Sequence, residues 1–215
     1  MNKAVYLLLL GLSSVIGFRD ADEIKSLPNC GPLQSKMAGG YLTVTETKQL
    51  YYMYVESYAM AGKDSNTDPV VVWFNGGPGC SSLLGMFAEH GPFVIEDGET
   101  AIKQNPYTWA SRANVLYIES PAGVGFSTAG TDNDARHNDI TSAEDALTAL
   151  MTFFKDYPEL VNNPLYISGE SYGGIYVPNL AWQIHQYNAQ AKWKQAQTYN
   201  LKGIIVGNGA TDWNF

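Results

Sequence analysis

Residues 169–173 read GESYG, a serine with a glycine two places before it and another two places after. In the longer run LYISGESYGGIYVP (165–178), an apolar stretch of strand type leads into the serine and a helical pattern follows it. That context is the one a nucleophile elbow demands: a strained turn between strand and helix lifts the serine above a sheet, and only small flanking residues let it close. Ser171 is therefore the candidate nucleophile, and a tight structural turn is the plain alternative. A second stretch, WFNGGPGCSSLLGMFAEHGPF (73–93), sets Gly76, Gly77 and Gly79 around Pro78 directly after an apolar run. Amides in such a loop can stay open to developing negative charge. Ser81 and Ser82 read as helix caps, since neither sits at an elbow.

Residues of this kind need a rigid frame, and the pattern of the chain supplies one. GYLTVT (40–45) and QLYYMYVES (49–57) read as an antiparallel hairpin. VVVWF (70–74), VLYIES (115–120), PLYIS (164–168) and LKGIIVG (201–207) are apolar without alternation, as strands covered on both faces are. Between them lie helical patterns. TSAEDALTALMTFFKDYP carries a capping box at Thr141 and Glu144 and an apolar face of Leu147, Leu150, Met151 and Phe154, with Pro158 after its end. Val177, Leu180, Ala181 and Ile184 repeat the spacing after the serine. A hairpin followed by strands alternating with helices predicts an α/β sheet of six strands with parallel central members, and no linker divides it.

The 215 residues are 45% hydrophobic, 16% charged and 13% aromatic, which is the composition of a globular domain. The start, MNKAVYLLLLGLSSVIGF, reads as a secretory signal over residues 1–17, with a cation at Lys3 and an apolar run too short to span a bilayer. Residues 18–215 are then the mature portion, routed to the secretory pathway and so to a lysosome, a vacuole or the exterior. Oxidising conditions there let Cys30 and Cys80 pair with each other or with thiols elsewhere. The net charge of −8, or −9 once Lys3 is removed, argues against nucleic acid and anionic membranes as partners.

With both glycine-rich stretches in view, the chain resembles the serine carboxypeptidases, the lysosomal, cathepsin A-like members in particular. The resemblance runs from about Ile24 to Asp212 through LYYMYVES, VVVWFNGGPGCSS, NPYTW, ANVLYIESPAGVGFS, GESYGGIYVP and LKGIIVGNG. It implies an α/β-hydrolase fold and release of C-terminal residues from peptides at acidic pH, with neither metal nor cofactor. Ser171 would attack the scissile carbonyl, and the amides of Tyr172 and Gly77 would hold the oxyanion. Asn75, Glu89 and Glu170, with Gly76 and Trp73 beside them, would grip the substrate's free carboxylate. A carboxyl can bond to a carboxylate only when it carries a proton, and two carboxyls sharing a partly buried site raise one of their pKa values. The family usually has alanine at the place of Gly173.

The base is the missing piece. In α/β-hydrolases the acid and then the histidine follow the nucleophile. The only histidine after Ser171 is His185, 14 positions along the following helix and therefore about 20 Å away. His137 reads as part of a polar loop, His90 lies beside Glu89, and Asp212 comes just after the last strand. The resemblance thus covers the N-terminal half of a family member, without the triad acid and histidine or the usual partner of Cys80. An acyltransferase of the same fold branch and a non-catalytic binding module are the competing expectations.

Overall fold

The computed structural model describes residues 21–58, 64–96 and 98–212, and the signal expected over residues 1–17 lies outside them. Its strands are β1 (Glu23–Ile24), β2 (Met37–Thr43), β3 (Lys48–Val55), β4 (Val70–Phe74), β5 (Phe93–Ile95), β6 (Ile102–Gln104), β7 (Asn114–Ile118), β8 (Thr128–Ala129), β9 (Leu165–Glu170) and β10 (Leu201–Gly207). Two helices accompany them, α1 (Asp139–Asp156) and α2 (Gly173–Trp193).

Eight strands form one mixed sheet in the order β1-β2-β3-β7-β4-β9-β10, with β8 also paired to β3. β2 and β3 are the expected hairpin, and β7, β4, β9 and β10 run parallel. This is the α/β-hydrolase arrangement, with all six expected strands present. The four further strands are two or three residues long, and β5 and β6 make a separate ribbon.

The unbroken VVVWF run is explained by what lies on each side of it. Val70, Val72 and Phe74 join Leu116, Ile118 and Ile167 against Ala146, Leu150, Phe153, Val177, Leu180 and Ile184 of the helices. Trp73 points the other way, into a second cluster with Met53, Val55, Met86, Phe93, Val115 and Tyr117. A strand apolar on both faces is the consequence of two cores.

Helix α1 starts earlier than its sequence suggests. Asn138, not Thr141, is the N-cap: its side chain accepts from the amides of Ile140 and Thr141, and Thr141 returns a bond to the Asn138 amide. The box therefore lies three residues upstream of the expected Thr141–Glu144 pair, because the asparagine amide oxygen caps the turn first. The buried stripe turns with it, to Ala143, Ala146, Ala149, Leu150, Phe153 and Phe154, while Leu147 and Met151 are half-buried. In α2, Val177, Leu180 and Ile184 are buried as expected and Ala181 only partly.

β10 is the last strand of the sheet, and Ile204 and Ile205 on it are 49% and 41% exposed. Among the described residues nothing pairs with this apolar parallel edge, which presents a template for a further strand. Among the described residues no helix is long and apolar enough to cross a membrane.

Candidate active site

β9 ends at Glu170 and α2 begins at Gly173, so Ser171 occupies the turn between them. Its φ is 55°, in the left-handed region that non-glycine residues rarely enter. The conformation is held from both sides. The Ser171 amide donates to Gly207 O at 3.0 Å, and its carbonyl accepts from the amides of Gly174 (2.9 Å) and Ala210 (2.8 Å). The side chain is exposed.

The 75–80 loop packs directly against this turn. A β-carbon added to Gly76 would stand 2.4 Å from Tyr172 N and 2.7 Å from Glu170 O, so only glycine fits there. Gly77 follows with φ 108°, and among the described residues its amide has no acceptor. The two expected oxyanion donors, Gly77 and Tyr172, are thereby carried on touching segments.

Asn75 is the hub of the expected carboxylate-binding set. It is 2% exposed, and its amide donates to Ser82 Oγ at 3.2 Å. Oδ1 accepts from Trp73 Nε1 (2.8 Å) and from the Gly85 amide (3.0 Å). With the oxygen occupied twice, Nδ2 must face outward. It donates to Glu170 Oε1 at 2.8 Å and to Glu89 Oε1 at 3.3 Å. Glu89 closes a π-helical turn, Gly85–Glu89, a geometry frequent at functional sites. Asn105 pins that turn by donating from Nδ2 to the carbonyls of Glu89 (3.1 Å) and Gly91 (3.0 Å).

Burial raises the Glu89 carboxyl above the ordinary glutamate range; the Asn75 bond opposes this, and the nearby Glu170 adds to it. Glu89 keeps an open side toward solvent, as a group receiving a ligand must. His90, next in the chain, is buried between aromatic rings, stacked on Trp109 at 4.1 Å and Tyr117 at 5.6 Å, with Trp73 edge-on at 4.2 Å. That burial drives its pKa down to about 4.

A family model described as serine carboxypeptidase matches residues 28–215. The chain belongs to the serine carboxypeptidase family. It is 44% identical over 195 residues to the lysosomal protective protein of Mus musculus, covering 90% of this chain and 38% of that protein. Serine carboxypeptidase 1 of Hordeum vulgare is 43% identical over 201 residues, covering 90% of this chain and 39% of its own length. The structure of a prohormone-processing carboxypeptidase of Saccharomyces cerevisiae superposes with a TM-score of 0.70 at 27% identity, over 81% of this chain and 39% of that one. The chain thus spans about two fifths of the length of these relatives.

Among the described residues no side chain bonds to Ser171 Oγ. His90 is walled in by its aromatic neighbours. His137 is half-buried and bonds through Nε2 to Ala122 O at 2.8 Å, and His185 is exposed on α2, stacked on Trp182. Asp212 is exposed after β10, Cys30 and Cys80 are both free thiols, and no cluster fit for a metal occurs among the described residues.

Three supporting residues escape a reading of the sequence. Ser82 anchors the Asn75 amide instead of capping a helix, whereas Ser81 does accept from the Leu83 amide. Ser81 Oγ also donates to the fully buried Glu119, whose other oxygen accepts from the Phe126 amide at 2.5 Å. Asn105 is the third, and its one sequence signal is the turn-forming Asn-Pro pair at 105–106.

Proposed function

We propose that this chain carries the nucleophile and the substrate-carboxylate site of a serine-type carboxypeptidase that removes single C-terminal residues from peptides through an acyl-enzyme on Ser171. The observation that carries the reading is the Asn75 carboxamide held between Glu89 and Glu170, next to the serine. A bound carboxylate would accept bonds from Asn75 Nδ2 and from a protonated Glu89 or Glu170, which fixes the scissile carbonyl one residue upstream. The amides of Gly77 and Tyr172 would then meet the oxyanion, each such donor contributing roughly 3 kcal/mol to the transition state. Gly76 and Trp73 shape the site without touching the reacting atoms. The triad acid and base belong to the additional length of the relatives. Residues 18–215 act in this reading as the N-terminal portion of the hydrolase domain, after a leader over 1–17 that sends it through the secretory pathway toward an acidic compartment.

The test is equilibrium binding of N-acetyl-Phe-Leu and its C-terminal amide to the chain at mildly acidic pH, with Asn75→Ala beside wild type. The free acid binds at least about tenfold more tightly than the amide, and Asn75→Ala abolishes the difference. Equal affinity of acid and amide for wild type defeats the assignment. The acyltransferase reading draws no support from this set, because an ester or alcohol presents no terminal carboxylate to it.

A further inference from the structure

We propose that the cavity between the last turns of α2 and the start of β10 binds a sugar carrying one anionic group, with Lys192 as its counter-ion. The cavity measures about 610 Å³, inside the roughly 300–1,000 Å³ range of small-ligand sites and far more than a bare anion fills. Asn162, just ahead of β9, and Leu201, the first residue of β10, both line it. It therefore opens at the opposite strand ends from the elbow, which follows β9. His185 in its wall stands about 20 Å along α2 from the serine.

The walls are fixed before any ligand arrives. Asn188 clamps the segment ahead of β10 against α2: its Nδ2 donates to Tyr199 O at 2.7 Å, and its Oδ1 accepts from the Tyr199 amide at 2.8 Å. Across the cavity Asn200 Nδ2 donates to Asn162 O at 2.9 Å. The buried Tyr199 ring stacks on Phe154 at 5.3 Å. These bonds leave the Asn200 Oδ1, the Asn162 carboxamide and the Thr198 hydroxyl unbonded among the described residues.

Charge decides the class of guest. None of the lining residues is acidic, and from Ser171 to Thr211 the chain carries Lys192, Lys194 and Lys202 without one Asp or Glu, although it has 21 acidic residues in all. A lysine in a last helical turn ordinarily serves the helix end. Here the amides of Lys194, Gln195 and Ala196 already take the carbonyls of Gln190, Ala191 and Lys192. Among the described residues Lys192 has no ion-pair partner either, so its ammonium is uncommitted. The remaining carboxamide and hydroxyl both donate and accept, as sugar hydroxyls do. Trp182, 57% exposed and nearly parallel to the His185 ring at 5.6 Å, extends that wall with a flat face for the C–H side of a pyranose.

The test titrates the full 215-residue chain at low salt and reads its proton–nitrogen correlation spectrum. The probes are glucuronate, glucose 6-phosphate, glucose, inorganic phosphate and an acetylated, amidated triglutamate. At least one anionic sugar should bind about fivefold more tightly than glucose and than inorganic phosphate, as one exposed charge pair allows, and should shift the amides of Ala189, Thr198 and Asn200. Whichever of the two binds more tightly identifies the anion as a carboxylate or a phosphate. Lys192→Gln should bring that sugar to the glucose level with the rest of the spectrum unaltered. Ala189→Leu, which keeps the helix and fills the cavity, should weaken charged and neutral sugars alike. Shifts confined to the surroundings of Asn75 and Glu89, or a preference that survives Lys192→Gln, overturn the inference. So do inorganic phosphate that matches the sugars, triglutamate that binds more tightly than they do, and no binding by any probe.

Discussion

The indole N–H of Trp73 donates to Asn75 Oδ1 at 2.8 Å, and that bond sets the direction in which a buried carboxamide faces. Without it the oxygen keeps only the Gly85 amide, and the group can turn. Trp73→Phe keeps most of the ring and removes the donor. The expected outcome is about a tenfold loss of affinity for a free-acid dipeptide and a loss of about 1–3 kcal/mol of stability from the half-satisfied oxygen. Calorimetric titration and urea unfolding read the two effects, and an unaltered acid-to-amide affinity ratio would remove Trp73 from the site.

Glu89 supplies a pH dependence of known sign. Its raised pKa keeps the proton on to higher pH than on a solvated glutamate, so a carboxylate ligand finds an O–H donor in mildly acidic solution. Affinity should fall as pH rises through that raised value, because a Glu89 that has lost its proton repels a carboxylate ligand. The double variant Glu89→Gln, Glu170→Gln keeps an N–H donor at every pH. Its dissociation constant should stay flat over the window where the wild-type value climbs, and a variant that climbs as steeply counts against a shared proton.

His90 predicts the opposite slope, in stability rather than binding. Its folded pKa of about 4 lies below its ordinary value of 6.5, so the unfolded chain takes up a proton first. The stabilisation is complete above about pH 6.5 and is lost as pH falls toward 4, with on the order of 2 kcal/mol gone by about pH 4.5. His90→Phe retains the stacking and lacks the titration. Urea midpoints at the two ends of that range should therefore drop further for wild type than for the variant.

The glycines around the elbow separate two kinds of constraint. Gly76→Ala drives a methyl to 2.4 Å from Tyr172 N and should cost about 2 kcal/mol or more along with carboxylate binding. Gly173→Ala meets Phe74 O at an ordinary 3.4 Å and should be neutral or stabilising by up to about 1 kcal/mol. Thermal unfolding of the two single variants checks the contrast, and similar losses would contradict it.

What the sequence made legible follows the range of the interaction. The GESYG turn, the VVVWF strand and the β2–β3 hairpin are encoded within a few residues of themselves, and each stands where it was expected. The start of α1 misleads because two capping sets overlap, and the Asn138 side chain takes the amides of both Ile140 and Thr141. Ser82 and Glu119 were unreadable for another reason. Their partners lie 7 and 38 residues away across folded loops, so their roles exist only once the loops have closed. The short strands β5 and β6 lack the length over which alternation could be seen.

The two hydrogens on Asn75 Nδ2 are bonded to different acids, one at 2.8 Å and the other at 3.3 Å. As the cis and trans hydrogens of a carboxamide they give two lines at one nitrogen frequency in a proton–nitrogen correlation spectrum, and here each line belongs to a different acid. Proton uptake by Glu89 shifts the line of the hydrogen bonded to it, while the other line reports the Glu170 bond. A pair of coupled acids ordinarily yields only macroscopic titration steps that belong to neither residue. Here a single buried carboxamide acts as a built-in two-channel probe, from which the proton on Glu89 can be followed separately from the Glu170 bond in the unliganded chain.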